Sequence, residues 1–413
     1  MASPVSDVRY LLIGGGLASF HAAKQIRRSD PDGPILIVSD ESLPPYDRPP
    51  LSKEYLRGEK ALDGILLAPA ETLAADRIGV SLGDRVERIE PADKVVETAS
   101  GRHVRFDKAL IATGGRPVVL RLPGAELSGI HYLRTVADAD AIAAAATSGR
   151  QAAVIGGGFI GVEVAATLRQ RGLEVTLVEA LPRIWARFAD ERLSSFIQDY
   201  CEQRGLRFLK GTAITSFDGS GGLTGIRLSS GEQLPCDLVC IGVGIVPNVE
   251  LAAAAGLQID NGIIVDEFLR SSQPDIYAAG DVINYPDSVF GRRRRVEHWG
   301  HAEYGGQVAG RNMAGGSTAY EFLSYVWSDI FDLRLEFAGD ESSPDTVLQR
   351  GRFEDGGFSI LYLRDDRLTA FFGINASTRD LGSLRRLIQT KQDLSGREAD
   401  LQDSAFNLRG LLS

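Results

Sequence analysis

The sequence predicts an α/β protein in which two similar strand–turn–helix–strand units precede a smaller α+β unit. Residues 8–40 and 151–179 each combine an apolar run, a glycine-rich turn, a helical pattern and a second apolar run. The apolar runs are short and continuous, as is typical of parallel strands buried on both faces of a sheet. After residue 320 the pattern changes to a hairpin followed by a helix, which indicates the third unit.

The first unit has the glycine spacing of a dinucleotide-binding turn, Gly14-x-Gly16-x-x-Ser19. The first glycine permits a tight turn, and the second lets the backbone approach a pyrophosphate at the start of the helix. The third position favours a small residue, so serine is a mild departure. Asp40 follows the second apolar run, where a carboxylate can accept hydrogen bonds from a ribose.

The second unit carries the complete pattern, Gly156-x-Gly158-x-x-Gly161, and Glu179 ends its second strand. A carboxylate at this position bonds the 2′-hydroxyl of adenosine and repels a 2′-phosphate, which favours NADH over NADPH. Arg183 lies close by in the sequence and could weaken that preference. Two dinucleotide-binding units in one chain predict two nucleotide ligands.

Two further apolar strands, within residues 109–117 and 238–247, end in glycine and proline and indicate where the chain passes between domains. In the third unit we expect hairpin strands at 358–363 and 368–372 and a helix at 381–390. The expected domains are a discontinuous first domain of residues 1–118 and 248–320, a second domain of residues 119–247, and an α+β domain of residues 321–413.

Composition narrows the class of protein. The net charge of −10 disfavours nonspecific binding to nucleic acid or to an anionic membrane. The apolar stretch at 10–20 is interpreted as a strand rather than a signal-peptide core, and no run is long enough to span a membrane. Cys201, Cys236 and Cys240 form no CxxC pair and are expected to be buried thiols in a reducing, cytoplasmic compartment. No histidine, cysteine or carboxylate group has metal-ligand spacing.

Four segments resemble one known family: GGGLAS at 14–19, PYDRPPLSK at 45–53, IYAAGD at 276–281 and YVWSDIFD at 325–332. The chain resembles the FAD-dependent pyridine nucleotide–disulfide reductase superfamily, in the ferredoxin reductase branch that serves bacterial dioxygenases and cytochromes P450. The resemblance implies two Rossmann-like domains of the glutathione reductase type plus a C-terminal α+β domain.

The same resemblance assigns FAD to the first unit and the nicotinamide nucleotide to the second. The implied FAD-binding residues are Gly14, Gly16, Ala18, Asp40, Arg48, Lys53, Val86, Arg134, Asp281 and Trp299. The implied NADH-binding residues are Gly156, Gly158, Ile160, Gly161, Glu179 and Gly244.

Three residues are implied to act at the reacting rings. Lys53 would supply positive charge that stabilises reduced flavin, although a lysine that caps a turn is the alternative. Glu163 falls where the family places a carboxylate near the nicotinamide, and Trp327 would lie against the rings unless it is an ordinary core aromatic. His298, beside Trp299, is expected to be a hydrogen-bonding structural residue rather than a proton shuttle.

Disulfide reductases of this superfamily carry a cysteine pair in the segment that here has no cysteine, residues 46–53. The implied activity is therefore that of an NADH:ferredoxin reductase, in which hydride passes from NADH to N5 of FAD. Single electrons then pass to a [2Fe-2S] ferredoxin that feeds a cytochrome P450 or a Rieske-type oxygenase. Alternatives are a rubredoxin, quinone or dye reductase of the same fold, or a flavoprotein like apoptosis-inducing factor that NADH binding switches.

A run of four arginines is the local exception to an acidic chain, formed by Arg292, Arg293, Arg294 and Arg295. Because ferredoxins are usually acidic, this run is a candidate docking surface, and a solvated loop is the alternative. Neither nucleic acid nor a membrane is expected as a partner. Both a monomer and a homodimer remain open.

Overall fold

The computed structural model describes residues 5–412, which divide into two compact units. The first unit comprises residues 5–47, 62–116 and 246–324, and the second comprises residues 48–61, 117–245 and 325–412. Two segments therefore group differently from the domains expected from the sequence. Residues 48–61 belong to the second unit rather than the first, and the C-terminal region shares the second unit.

A seven-stranded sheet forms the centre of the first unit. The two apolar runs that flank the first glycine turn form neighbouring parallel strands, as expected, with Tyr10 opposite Ile35. Six strands lie in the order Ile78–Ser81, Ile35–Val38, Val5–Ile13, His103–Ile111, Val95–Thr98 and Val86–Glu90, and Ile276–Ala278 pairs with the end of His103–Ile111. A small sheet contains Ile263–Ile264, Ile283–Asp287 and Arg292–Arg294. The helices are Leu17–Ser29, Ala70–Ala75, Glu250–Ala254 and Trp299–Met313, with a 3-10 turn at Leu62–Ile65.

Two helices of the first unit, Leu17–Ser29 and Trp299–Met313, pack with almost no space between their backbones. A Cβ atom added at Gly306 would lie 2.2 Å from the carbonyl oxygen of Ala18. One added at Gly310, one turn later, would lie 2.5 Å from that of Ala22. Glycines four residues apart face the same side of a helix, so this pair lets the second helix approach the helix that follows the first glycine turn.

The second unit contains three sheets. The two strands that flank the second glycine turn belong to a fully parallel sheet. Its strand order is Arg207–Lys210, Glu174–Glu179, Gln151–Ile155, Leu238–Ile241 and Ile130–Tyr132. A smaller antiparallel sheet contains Ile214–Ser220, Gly222–Leu228 and Gln233–Pro235. The helices of this part are Val136–Ala145, Phe159–Gln170 and Glu191–Glu202, with a 3-10 turn at Pro49–Ser52. The strands Gly115–Pro117 and Ile245–Pro247 contain the points at which the chain crosses between units.

The C-terminal region is an antiparallel sheet with a helix against it, which confirms the expected hairpin and helix. The strand order is Tyr325–Ile330, Leu333–Gly339, Arg367–Ile374, Gly357–Arg364 and Thr346–Arg352. The helices are Thr378–Thr390 and Glu398–Gln402, with 3-10 turns at Phe353–Asp355 and Leu408–Leu411. The α/β fold class, with two glycine-turn units and a C-terminal α+β region, is therefore confirmed.

Arg350 holds the end of the chain against this sheet. Its side chain is 3% exposed and pairs with Asp380 at 3.1 Å. The same guanidinium donates to backbone carbonyls of the terminal segment, among them those of Leu401 at 3.3 Å and Phe406 at 2.9 Å. Arg350 thus helps to fasten the terminal segment, whose Leu401, Leu408 and Leu411 are also buried.

Candidate functional site

The first glycine turn leaves an open cradle at the start of a helix. Gly14 has a φ of +111°, and a Cβ there would lie 2.3 Å from the carbonyl oxygen of Ala112, so both conformation and packing require glycine. Gly16 has an ordinary φ of −87° and nothing within 4 Å of an added Cβ. No side chain caps the helix that begins at Leu17. Its first amides are therefore available to the phosphates of a dinucleotide.

The second turn repeats this geometry. Gly156 has a φ of +106°, and a Cβ there would lie 2.4 Å from the carbonyl oxygen of Gly242. Gly158 has a φ of −81° and open space around an added Cβ, and the helix that begins at Phe159 has no side-chain cap. At the third position the two units differ. A Cβ at Gly161 would lie 1.9 Å from the oxygen of Gly156, whereas Ser19 is accommodated fully buried.

Asp40 and Glu179, the acidic residues at the ends of the strands Ile35–Val38 and Glu174–Glu179, differ in their surroundings. Asp40 is exposed. Glu179 is half-buried, and its two carboxylate oxygens accept hydrogen bonds from the backbone amides of Gly157 at 2.6 Å and Leu181 at 2.7 Å. Arg183 donates to the carbonyl oxygen of Ala189 and, at 2.8 Å, to the hydroxyl of Ser194. The arginine that could have favoured NADPH is therefore engaged within the protein.

The second unit brings Lys53 and Glu163 together. Their side chains are 7% and 3% exposed, and Nζ of Lys53 lies 3.1 Å from Oε2 of Glu163. Burial of two opposite charges is favourable only when they pair and their remaining hydrogen-bonding capacity is met. Lys53 is thus a buried ion-pair partner in this structure and not a solvated lysine.

One face of the helix Phe159–Gln170 holds the segment that carries Lys53. Glu163 accepts a hydrogen bond from the hydroxyl of Ser52 at 2.5 Å, and Thr167 donates to the carbonyl oxygen of Ser52 at 2.7 Å. Arg171, just after the helix, donates to the carbonyl oxygen of Leu56 at 2.5 Å. These three side chains are spaced by four residues and share a face. They explain why residues 48–61 group with the second unit.

The strand Tyr325–Ile330 contributes to the same cluster through Ser328, whose buried hydroxyl donates to Oε1 of Glu163 at 2.6 Å. Trp327 precedes it and, because side chains alternate along a strand, projects from the opposite face. Its half-buried ring lies 6.2 Å from that of Tyr325 on that face. The structure therefore joins Lys53 and Glu163 directly and places Trp327 one strand position away from Ser328, a hydroxyl partner of Glu163.

The other candidate residues are distributed over the two units. In the first unit Val86 is a buried core residue, Asp281 is half-buried after the strand Ile276–Ala278, and Trp299 donates to the carboxylate of Asp47 at 2.8 Å. Ala18 of the same unit is buried against Gly306.

In the second unit, Arg48 donates to the carbonyl oxygen of Arg134. Ile160 is 47% exposed beside the glycine turn. Gly244 is exposed with a φ of +116°.

Two buried histidines of the first unit are held neutral. Burial lowers the pKa of His298 to about 3 and the pKa of His301 to about 4. Nδ1 of His301 also lies 2.6 Å from the hydroxyl of Tyr320. A group that is uncharged throughout the neutral range is poorly matched to carry protons there, which supports the structural interpretation of His298.

The arginine run is partly turned inward. Arg293 donates to the carbonyl oxygens of Val265 at 2.6 Å and Asn284 at 2.5 Å. Arg294 pairs with Asp287 at 3.3 Å, and Arg295 pairs with Glu297 at 2.5 Å. Arg292 is exposed. Much of the charge expected on this surface is therefore neutralised within the first unit.

The three cysteines are buried and unpaired, and burial raises the pKa of each thiol to about 12. A thiol with such a pKa supplies almost no reactive thiolate near neutral pH. Over residues 5–412 no cluster of histidine, cysteine and carboxylate side chains has metal-binding geometry. Within the same residues no helix has the length and apolar character needed to span a bilayer.

Ser52 and Ser328 are partners of Glu163 that the sequence did not reveal. Ser52 lies inside the PYDRPPLSK segment at 45–53, but a single serine there gives no signal of its own. The spacing of Glu163, Thr167 and Arg171 is a signal that helical periodicity could have provided. Ser328 is distant in sequence, and its role follows only from the fold.

Comparison with known proteins identifies the family. A model of the pyridine nucleotide-disulphide oxidoreductase family matches residues 8–306, and a model of the reductase C-terminal family matches residues 325–412. The chain belongs to the pyridine nucleotide-disulphide oxidoreductase family. It is an oxidoreductase whose cofactors are FAD and NAD(P)H, and the two open glycine cradles fit two such dinucleotides.

Relatives within this family confirm the resemblance drawn from the four sequence segments. Rhodocoxin reductase of Rhodococcus erythropolis is 35% identical over 400 residues, which is 97% of this chain and 93% of that protein. The ferredoxin–NAD(+) reductase component of the anthranilate 1,2-dioxygenase system of Burkholderia cepacia is 37% identical over 382 residues, covering 92% and 93%. Putidaredoxin reductase, solved in a covalent complex with putidaredoxin, matches with a TM-score of 0.93, 30% identity and 98% of each chain covered.

Proposed function

We propose that the protein is an NADH:ferredoxin reductase that passes single electrons to a [2Fe-2S] ferredoxin, which feeds a cytochrome P450 or a Rieske-type oxygenase. The observation that carries the proposal is a buried Lys53–Glu163 pair in a chain whose thiols are all buried and unreactive. Without a reactive dithiol, electrons must leave directly from the flavin. The relatives named as reductases of ferredoxins support this electron acceptor.

FAD, when bound, accepts a hydride from the nicotinamide and releases electrons one at a time. The residues of the chain bind the two dinucleotides and orient them. Amides that follow Gly16 and Gly158 hold the two pyrophosphates, and Lys53 supplies positive charge near reduced flavin, with Glu163 as its buried counter-ion. Trp327 and the FAD-binding residues inferred from the resemblance remain part of this proposal.

NADH rather than NADPH is the proposed electron donor. Both oxygens of Glu179 are anchored by backbone amides, so the carboxylate is held at the end of its strand, where the adenosine ribose binds. A 2′-phosphate there would meet a fixed negative charge. Arg183, the nearby cation, uses one guanidinium nitrogen to bond the carbonyl oxygen of Ala189 and the hydroxyl of Ser194, which reduces what it can offer to a 2′-phosphate.

The partner side of the proposal concerns the arginine run and the compartment. We propose that a ferredoxin meets the surface formed by Arg292, Arg293, Arg294 and Arg295, where Arg292 and Arg293 are exposed and Arg293 also bonds inward. The exposed charge would increase the rate of encounter with an acidic partner. Three unpaired cysteines are compatible with a reducing compartment such as the cytoplasm. Both a monomer and a homodimer fit the proposal.

The test is NADH-dependent reduction of cytochrome c in the presence of a bacterial [2Fe-2S] ferredoxin, with rubredoxin and a quinone as competing acceptors. We expect reduction that requires the ferredoxin and that is much faster with NADH than with NADPH. Equal or faster turnover with rubredoxin or the quinone would reject ferredoxin as the acceptor.

A further inference from the structure

The carboxylate of Glu163 is the centre of a buried polar cluster. Oε2 accepts from the hydroxyl of Ser52 at 2.5 Å and lies 3.1 Å from Nζ of Lys53, and Oε1 accepts from the hydroxyl of Ser328 at 2.6 Å. All four residues are buried. An ionised carboxylate only accepts hydrogen bonds, and each serine hydroxyl has one hydrogen to donate. Each oxygen of Glu163 is therefore assigned its own serine.

The hydroxyls of Ser52 and Ser328 together prevent rotation of the Glu163 carboxylate, which a single hydroxyl would permit. The terminal torsion of a glutamate is broad, so a carboxylate bound through one oxygen can still rotate. Ser52 comes from the 3-10 turn Pro49–Ser52 and Ser328 from the strand Tyr325–Ile330, so the two donors cannot shift together. Ser52 is itself fixed, because Thr167 donates to its carbonyl oxygen at 2.7 Å.

Removal of either hydroxyl would leave a buried, charged oxygen short of a donor. Such an oxygen regains a partner by rotating the carboxylate, and that rotation would move the oxygen that faces Lys53. The ammonium of Lys53 would then follow its counter-ion or lose it. Alanine in place of serine removes one oxygen atom and leaves the backbone and Cβ as they are, so the change is confined to this bond.

We propose that Ser52 and Ser328 are positioning residues that lock the Glu163 carboxylate and, through it, hold the Lys53 ammonium where it stabilises reduced flavin. This inference rests on the proposed function, in which Lys53 acts on the flavin. Neither serine is required to touch a nucleotide, so their loss is expected to change the reduction of the flavin and not the binding of NADH.

The test uses the FAD-loaded variants Ser52→Ala and Ser328→Ala. We expect the flavin midpoint potential to fall by about 30 mV, which is a tenfold change for a two-electron couple. In anaerobic stopped-flow experiments the limiting rate of flavin reduction should fall about threefold to tenfold, while the NADH concentration at half-maximal rate changes less than about twofold. Ser328→Thr, which keeps the hydroxyl, should restore both quantities to near the original values.

A matched control is Ser383→Ala. Ser383 is also a buried serine of the second unit, but its hydroxyl donates to the carbonyl oxygen of Arg379 on its own helix. Its removal should leave the potential and the limiting rate unchanged. In a Glu163→Gln background, Ser328→Ala should have little additional effect, because residues that act as one unit are not additive.

Three results separate the possibilities. An unchanged potential and limiting rate in both Ser52→Ala and Ser328→Ala would refute the positioning role and leave the proposed function standing. An equal effect of Ser383→Ala would also refute it, because a general packing defect would then suffice. Unmodified protein whose flavin NADH does not reduce would refute the proposed function itself, and the inference with it.

Discussion

A substitution at Gly158 can test nucleotide binding without disturbing the fold, because neither the backbone nor the packing of the protein requires a glycine there. Its φ of −81° suits any residue, and nothing lies within 4 Å of an added Cβ. Replacement by alanine should therefore change the free energy of unfolding by no more than about 1 kcal/mol, the scale of a change at a helix N-cap. The new methyl group enters the space proposed for a pyrophosphate. Loss of one amide–phosphate hydrogen bond costs about 1.5–3 kcal/mol, which raises the Kd for NADH about tenfold to about a hundredfold.

The assay measures the Kd for NADH of Gly158→Ala in anaerobic flavin reduction, with FAD content and thermal unfolding measured on the same preparation. We expect weaker NADH binding with normal FAD content and an unchanged Tm. The mirror variant Gly16→Ala should lose FAD instead, because its cradle lies in the first unit. Gly161→Ala is the contrasting case, since its Cβ would lie 1.9 Å from a backbone oxygen and should disturb the fold. Gly158→Ala protein that binds NADH normally, or that loses FAD instead, would refute the assignment of the two cradles.

Three further predictions concern stability. Arg350→Met should lower the free energy of unfolding in chemical denaturation by about 3–5 kcal/mol, because it leaves Asp380 without its buried partner; a loss below about 1 kcal/mol would show that the arginine does not hold the C-terminal segment. His298 and His301 have a folded pKa of about 3 and about 4, below the ordinary value of 6.5, so the stability that they contribute is complete above pH 6.5 and is lost as the pH falls toward those folded values. Each should cost about 2 kcal/mol at pH 5 relative to pH 8, and His301→Gln should remove its share of that difference in denaturation at the two pH values; an identical pH dependence in the variant would contradict the burial of a neutral ring. Gly306→Ala places a Cβ 2.2 Å from the carbonyl oxygen of Ala18 and should cost about 1–3 kcal/mol and weaken FAD retention; a Tm and FAD content equal to those of the unmodified protein would show that the two helices can separate freely.

Local patterns predicted the glycine units well because their signals lie within a few residues. The tight turn, the open N-terminus of the helix and the closing acid all depend on a contiguous stretch, and the structure shows them at Gly14, Gly16 and Glu179. The hairpin and helix of the C-terminal region are equally local. Such features are consistent between sequence and fold because propensity and pattern agree.

The Glu163 cluster could be predicted only in part, because its partners are far apart in the chain. Resemblance indicated Lys53 and Glu163, but the hydrogen bond from Ser328 joins residues separated by 165 positions. The grouping of residues 48–61 with the second unit depends on Thr167 and Arg171. Their spacing places them on one helix face, but it does not identify the backbone carbonyls that they bond.

For the arginine run, the sequence predicted more free positive charge than the structure has. The run contains four positive charges in the sequence. In the structure Arg294 pairs with Asp287, Arg295 pairs with Glu297, and Arg293 donates to backbone carbonyls. Glu297 is two residues from Arg295, so that pairing could have been anticipated from the sequence. The bonds of Arg293 to Val265 and Asn284 could not, because they depend on how the strands of the small sheet meet.

The most direct test of the central claim is an anaerobic titration of the purified FAD-loaded protein with NADH, followed by addition of oxidised [2Fe-2S] ferredoxin. The account predicts that NADH bleaches the flavin and that the ferredoxin then restores its colour while becoming reduced, with no thiol titrated in the process. Flavin that NADH leaves oxidised, or reduced flavin that the ferredoxin cannot reoxidise, would contradict the account.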